Sequence, residues 1–258
     1  MSRLRGAWRV VRRVWITLGL AATVVFAVWS LIAYRATDEA RRALVSDASV
    51  AVTDTTGATR FTPAAGRARS DAGLLFVAGA LVDPAAYAPL ARAVAAAGHE
   101  AWIVALPRRG AFGGAEDPAL PARIAAIMRG PDGPRRWVVG GHSRGAVVAV
   151  QVAHTRPARL AGLVLIGSSH PRDVSLADLR VPVLKIVGTR DGLASPAEVR
   201  ANAHLLPAST RWVWIDGGNH SQFGWYGFQP GDRRARVSAG VQRATMVRAL
   251  LEALRAAG

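Results

Sequence analysis

Short apolar runs at residues 74–77, 101–105, 137–139, 160–166, 183–187 and 212–215 alternate with segments of helical spacing at 84–97, 118–128, 145–154, 196–205 and 241–254. This rhythm limits the chain more than any other feature. Strands that are apolar on both faces belong inside a sheet covered on both sides, and strands separated by helices pair in parallel. Gly98 and Gly130 sit where two of the helical segments stop. Two further short strands, 50–52 and 60–62, precede the rhythm, with Thr55-Thr56-Gly57 as a turn between them. No linker interrupts residues 49–258, so they are expected to form one α/β domain with a mainly parallel sheet and helices on both faces. Only the sixteen residues 167–182 separate two of the strands. That insertion holds a loop and no large lid.

The third of the main apolar runs leads into Gly140-Gly141-His142-Ser143-Arg144-Gly145-Ala146. The pattern G-x-S-x-G is weak alone; an apolar strand before it and a small-residue helix after it give it meaning. A serine on so sharp a turn takes strained backbone angles, and glycine on either side lets strand and helix approach closely. Its hydroxyl then stands at the carboxyl end of the sheet over a helix N-terminus, which favours negative charge.

A serine hydroxyl is a poor nucleophile near neutral pH and needs a base, which in turn needs an orienting acid. Of six histidines, His220 follows the last strand in Asp216-Gly217-Gly218-Asn219-His220, and the glycines let that loop turn back over the sheet end. His170, which also follows a strand, is the runner-up. His142 is expected to point away from the serine, and His99, His154 and His204 lie at or in helices. For the acid, Asp191 in Gly188-Thr189-Arg190-Asp191-Gly192 follows the strand 183–187 and gives the chain order serine, acid, histidine. Asp216, four residues before His220, competes, as do Asp173 and Asp178. An oxyanion would be held by backbone N–H groups, one from Arg144 and one from the loop after 74–77, with Ala80 first and Leu81 second. Leu81 and Trp225 are expected to contact substrate.

With these residues in place the chain resembles the α/β-hydrolases, and over residues 45–255 the lidless bacterial dienelactone-hydrolase-like group. The resemblance is carried by Gly79 with Val82-Asp83-Pro84-Ala85-Ala86-Tyr87, by Gly141-His142-Ser143-x-Gly145, by Gly188-Thr189-Arg190-Asp191-Gly192, and by Gly217-Gly218-Asn219-His220-x-Gln222-Phe223-Gly224. It implies the α/β-hydrolase fold and a Ser143–His220–Asp191 triad working without a cofactor. Two departures stand out: Arg144 where the group usually has an apolar residue, and Ala146 where it often has glycine.

Residues 14–34 form 21 positions without a charge. As a helix they would be about 31 Å long, the thickness of a bilayer's hydrocarbon core. Trp15, Trp29 and Tyr34 lie near the ends, where amphipathic rings favour the interface. Arg3, Arg5, Arg9, Arg12 and Arg13 precede the run, which places the N-terminus in the cytoplasm. A cleaved signal would have a shorter apolar region, of about 7–15 residues, and a small-x-small site that Ala33-Tyr34-Arg35-Ala36 matches poorly. The expected organisation is a basic cytoplasmic segment (1–13), a transmembrane signal anchor (14–34), a polar stalk (35–48) and the domain (49–258).

The formal net charge is +16. It comes from scattered arginines such as Arg108/Arg109, Arg135/Arg136 and Arg233/Arg234, with no run of six like charges, so no nucleic-acid partner is expected. Cysteine is absent, which excludes thiolate metal sites and a cysteine nucleophile. H-E-x-x-H is absent as well, and no metal is expected. The function expected is hydrolysis of a small-molecule carboxylic ester by a membrane-anchored serine hydrolase outside the cytoplasm. Thioester, lactone or amide hydrolysis, acyl transfer, and a binding domain with a vestigial site are the alternatives.

Overall fold

The computed structural model describes residues 2–66, 68–111 and 113–258. The elements run α1 (Ser2–Ala33), α2 (Asp38–Arg42), β1 (Val50–Thr55), β2 (Ala58–Pro63), β3 (Ala72–Val77), α3 (Ala88–Ala96), β4 (Ala101–Val104), α4 (Ala119–Arg129), β5 (Arg136–His142), α5 (Arg144–His154), β6 (Leu160–Ile166), β7 (Val183–Gly188), α6 (Pro196–Ala201), β8 (Arg211–Ile215) and α7 (Ala239–Ala257). All eight strands join one sheet in the order β1-β2-β4-β3-β5-β6-β7-β8. The hairpin β1–β2 and the β2–β4 pair are antiparallel, and every pair from β4 through β8 is parallel.

The period of two sorts the central strands onto two cores. Leu74, Phe76, Val138, Val164, Ile166, Leu184 and Ile186 face one side, where α3 and α7 bring Leu90, Val94, Met246, Leu250 and Leu254. Leu75, Val77, Val139, Leu163, Leu165 and Val183 face the other, against Leu120, Ile124 and Met128 of α4 and the small face of α5. Because both faces are filled, the free carboxyl ends of the strands and the loops after them are where polar groups converge.

The helix read as 196–205 is split: α6 stops at Ala201 and a 3₁₀ turn covers Ala203–Leu205. Ser195 opens α6 with a capping box, its hydroxyl accepting from the Glu198 N–H at 3.3 Å while Glu198 reaches back to the Ser195 N–H at 3.1 Å.

The segment expected as a free polar stalk is docked on the domain. Ala36, Ala40 and Ala43, spaced by four and three, are buried together with Tyr34. Glu39 accepts the Trp225 indole N–H at 2.8 Å, and Asp47 pairs with Arg92 at 2.7 Å. Alternating charges disguised an alanine face that packs because it is small. Tyr34, expected at a membrane interface, is buried too, its ring stacked on Tyr226 at 6.3 Å between centroids. The apolar helix therefore ends at Ala33, and the domain begins without a spacer.

Candidate active site

Ser143 sits between β5 and α5 with φ 54° and ψ −119°, a left-handed conformation that costs a non-glycine residue about 1–3 kcal/mol. Close packing holds the turn. A Cβ on Gly145 would lie 2.1 Å from the Val77 carbonyl oxygen, and one on Gly141 would lie 2.4 Å from the Gly145 carbonyl carbon. No other residue fits either place. The Ser143 N–H donates to Ile166 O at 3.0 Å, which ties the turn to the end of β6.

Asp191 and His220 meet beside this turn. His220 Nδ1 lies 2.9 Å from Asp191 Oδ2, with both side chains buried. A carboxylate only accepts, so Nδ1 carries the proton and Nε2 presents its lone pair. That Nε2 has no hydrogen-bond partner. The other oxygen of Asp191 accepts the N–H groups of Leu193 at 2.8 Å and Ala194 at 2.7 Å, which fixes the carboxylate's rotation. Asp216 is engaged elsewhere: it accepts the Thr189 hydroxyl at 3.0 Å. Asp178 is exposed and pairs with Arg156 at 2.5 Å.

Ser143 and His220 line one cleft of about 190 Å³, together with Gly167, Ser168, His170 and Arg172. His170 is half-buried there, and its pKa is lowered by that burial and by the Arg172 charge. Arg172 pairs with Glu198 at 2.9 Å, and Arg144 with Glu116. Arg144 opens α5, so its N–H points out of the helix start. On the β3 loop, the Leu81 N–H is spent on Arg109 O at 2.6 Å. That leaves Ala80 as the residue of the pair whose N–H is not engaged by a described residue. Leu81 is exposed with φ 64° and does not line the cleft among the described residues.

Trp225, expected to wall the acyl pocket, faces the other way. It is buried against α2 and α7, its indole bonded to Glu39 and its ring covered by the Arg243 guanidinium at 4.7 Å. Its place after His220 in the chain misled because the Ser221–Phe223 3₁₀ turn stands between the two and Trp225 packs on α2 and α7 instead.

Three residues around the site escaped the sequence reading. His142, expected to point away, lays its buried ring 4.5 Å from the ring of His220. Burial, and the repulsion His220 would exert when protonated, push its pKa well below the ordinary value, so it is neutral. Its Nδ1 lies 2.8 Å from the Tyr87 hydroxyl, which accepts the Gly79 N–H at 3.2 Å. The phenol proton has no other use, so it goes to His142 Nδ1. The loop after β3 and the serine turn are thereby joined by one chain of hydrogen bonds. Asp232 is the third. One oxygen accepts the N–H groups of Gly192 at 3.1 Å, His220 at 3.3 Å and Arg233 at 2.8 Å. The other accepts the Ser221 N–H at 2.8 Å and hydroxyl at 2.7 Å. One carboxylate thus clamps the Asp191 loop to the His220 loop. Among the described residues no group of three histidine or acidic side chains is placed to hold a metal.

No functionally curated protein matches the sequence. Among solved structures the fold is similar to a CIB-like hydrolase from Thermoplasma acidophilum, at 14% identity and a TM-score of 0.57 over 79% of this chain and 100% of that one. It is similar to an alpha-beta serine hydrolase homologue from Coxiella burnetii, at 15% identity and a TM-score of 0.55 over 81% and 99%. A dienelactone hydrolase-like promiscuous phosphotriesterase from metagenomic libraries is similar at 17% identity and a TM-score of 0.58 over 80% and 98%. The match that extends to sequence is the family model for alpha/beta hydrolases over residues 73–244, which runs from β3 into α7 and takes in the serine turn and both partner loops. With two thirds of its length matched, the chain belongs to the alpha/beta hydrolase family.

Proposed function

We propose that this hydrolase is a membrane-anchored serine esterase acting outside the cytoplasm on short carboxylic esters. The observation that carries the reading is the buried Asp191–His220 pair, its free Nε2 sharing one cleft with a serine on a strained turn. In this reading Ser143 Oγ attacks the acyl carbon while His220 Nε2 takes its proton. Asp191 holds the ring and stabilises the imidazolium that forms. The Arg144 and Ala80 N–H groups receive the carbonyl oxygen as it becomes negative. The alcohol leaves with the proton from His220, and the acyl group remains on Ser143. Water then attacks the acyl-enzyme, giving its proton to Nε2, and the acid departs as Ser143 recovers its hydrogen. Neutral His142 adds no second positive charge beside the imidazolium.

The anchor reading rests on α1. Its segment Ala7–Ala33, 27 residues long, is apolar enough to cross a membrane, and the most apolar stretch of it is not buried by the domain. The five arginines before the uncharged run favour a cytoplasmic N-terminus, which puts the sheet and cleft on the far side. Ser143→Ala tests the chemistry: hydrolysis of an activated acetyl ester should vanish while the melting temperature stays within a few degrees of wild type. Turnover at the wild-type rate in a folded variant would remove Ser143 from the mechanism.

A further inference from the structure

Where α1 meets the domain, a groove of about 590 Å³ is lined in part by Asn219, Ser221 and Gln222 of the His220 loop and shares no lining residue with the cleft among the described residues. Trp29 of α1 lines it together with Gln222, Phe228, Arg234, Arg243 and the first residue of α7, Ala239. We propose that this groove binds the phosphate headgroup of an anionic phospholipid from the bilayer that α1 crosses; the proposal rests on the anchor reading.

Depth is the first argument. Ala7–Ala33 spans 27 residues, about 40 Å of helix against about 30 Å of hydrocarbon. Arg9, Arg12 and Arg13 take up the excess on the cytoplasmic side, so the uncharged run from Val14 fills the hydrocarbon, and Trp29 stands about one helical turn before its far end at Ala33, near the interface that an indole ring favours. The helix cannot tilt freely away from the groove. Gly227 donates its N–H to Ala33 O at 2.8 Å, and Tyr34 stacks on Tyr226.

Charge is the second. Two guanidinium groups line the groove, and no carboxylate does so among the described residues. Arg243 spends Nη2 on Gly224 O at 2.9 Å and stacks on Trp225, yet its Nε is buried without a partner. Glu39, whose charge acts on Arg243, accepts the Trp225 indole N–H and lines a second pocket beside that guanidinium but not this groove. Gln222 also has a buried amide oxygen without a partner, a group suited to a headgroup hydroxyl. The start of α7, whose helix dipole favours anions, faces the same space. Phe228, 44% exposed, lies beside the basic groups as an acyl chain would require.

The experiment uses the full chain in nonionic detergent, with lipid retention followed by native mass spectrometry. Dioctanoyl-phosphatidylglycerol, dioctanoyl-phosphatidylcholine and inorganic phosphate are titrated separately. The glycerol lipid should bind at least tenfold more tightly than the choline lipid, and phosphate should displace it only at far higher concentration. Ala239→Glu puts a carboxylate in the groove at the first turn of a helix, where an acid is tolerated. It and Arg234→Gln should each cut the preference to threefold or less, with short-ester turnover unchanged. Equal affinity for the two lipids, or an undiminished preference in Ala239→Glu, overturns the proposal. Free phosphate binding as tightly as the lipid would make this a site for a soluble anion and overturn the lipid assignment. An alkaline carbonate wash of membranes tests the anchor separately. A chain that washes off yet prefers phosphatidylglycerol defeats the anchor and keeps the site; one that stays and does not discriminate defeats the site alone.

Discussion

Replacing Asp232 with asparagine changes one oxygen to an amide nitrogen at the junction of the Asp191 and His220 loops. Five donors converge on this carboxylate: the N–H groups of Gly192, His220, Arg233 and Ser221, and the Ser221 hydroxyl. An asparagine oxygen turned toward Gly192, His220 and Arg233 keeps those three. The amide then confronts the Ser221 N–H, donor against donor, while the hydroxyl turns to accept. One charge-assisted bond is lost and the others weaken, at about 1.5–3 kcal/mol for each hydrogen bond to a charged group. A cost of about 3 kcal/mol corresponds to a fall in Tm of roughly 6–12 °C for a chain of this size. The activity loss comes through position. His220 is carried on the loop that Asp232 clamps, and a misplacement near 1 Å costs about 10²-fold in rate. Thermal melting and steady-state hydrolysis of an acetyl ester, assayed well below the variant's Tm, should show kcat down ten- to a hundredfold with KM within about threefold. Asp232→Ala, which strands all five donors, should be worse on both counts. An Asp232→Asn enzyme that melts within 2 °C of wild type (about a third of the lower estimate) and turns over within twofold would refute the clamp.

Asp191→Asn should lower kcat by on the order of 10⁴, whereas Asp216→Asn, at a carboxylate that accepts the Thr189 hydroxyl, should cost far less; the reverse ranking would reassign the acid. Across an acyl series from acetyl to palmitoyl, kcat/KM should fall beyond short chains. The cleft of about 190 Å³ is too small to bury a long acyl chain, each CH₂ of which is worth about 0.8 kcal/mol when buried; a steady rise with length would contradict this. Lys185 is buried on β7, and burial alone brings its ammonium down to about 7 from the ordinary 10.5. Below about 7 the folded state carries the full cost of the charge. Between about 7 and 10.5 the unfolded chain binds a proton that the folded chain lacks, so stability rises with pH. Lys185→Met should therefore be stabilised most at pH 6.5, and urea unfolding should show that gain shrinking toward pH 9 by about 1.4 kcal/mol per pH unit. A gain that is the same at both pH values would show that the lysine does not titrate there.

Much of the fold was legible because local chemistry and global packing agree. Apolar runs without alternation could only be strands covered on both faces, and 160–166 coincides with β6 residue for residue. Lys185 did not obscure β7, since the strand's other residues are apolar and the lysine's stem is itself buried. The stalk was misread because Ala36, Ala40 and Ala43 look neutral in a run of charges, and only the surface they meet makes them a packing face. Asp191, His220 and Ser143 stand after strand ends, where chain order and turn residues pointed, and the fold brings Asp191 and His220 within 2.9 Å. Asp232 and Tyr87 act on loops distant in sequence, and nothing near them in the chain announces a partner. His142 was set aside because a residue beside the serine in sequence was taken to face away. The tight turn instead brings its ring alongside His220.

The central claim is that Ser143 is a nucleophile activated by the Asp191–His220 pair. A fluorophosphonate probe measures this directly, because it modifies only a serine whose proton is taken as it attacks. Intact-mass and peptide analysis of the full chain should show one adduct, on Ser143. Labelling should be abolished in Ser143→Ala and slowed at least a hundredfold in His220→Ala, where the base that raises a weak hydroxyl to a nucleophile is gone. An unlabelled, folded wild-type chain, or an adduct on another serine that persists in both variants, would contradict the account.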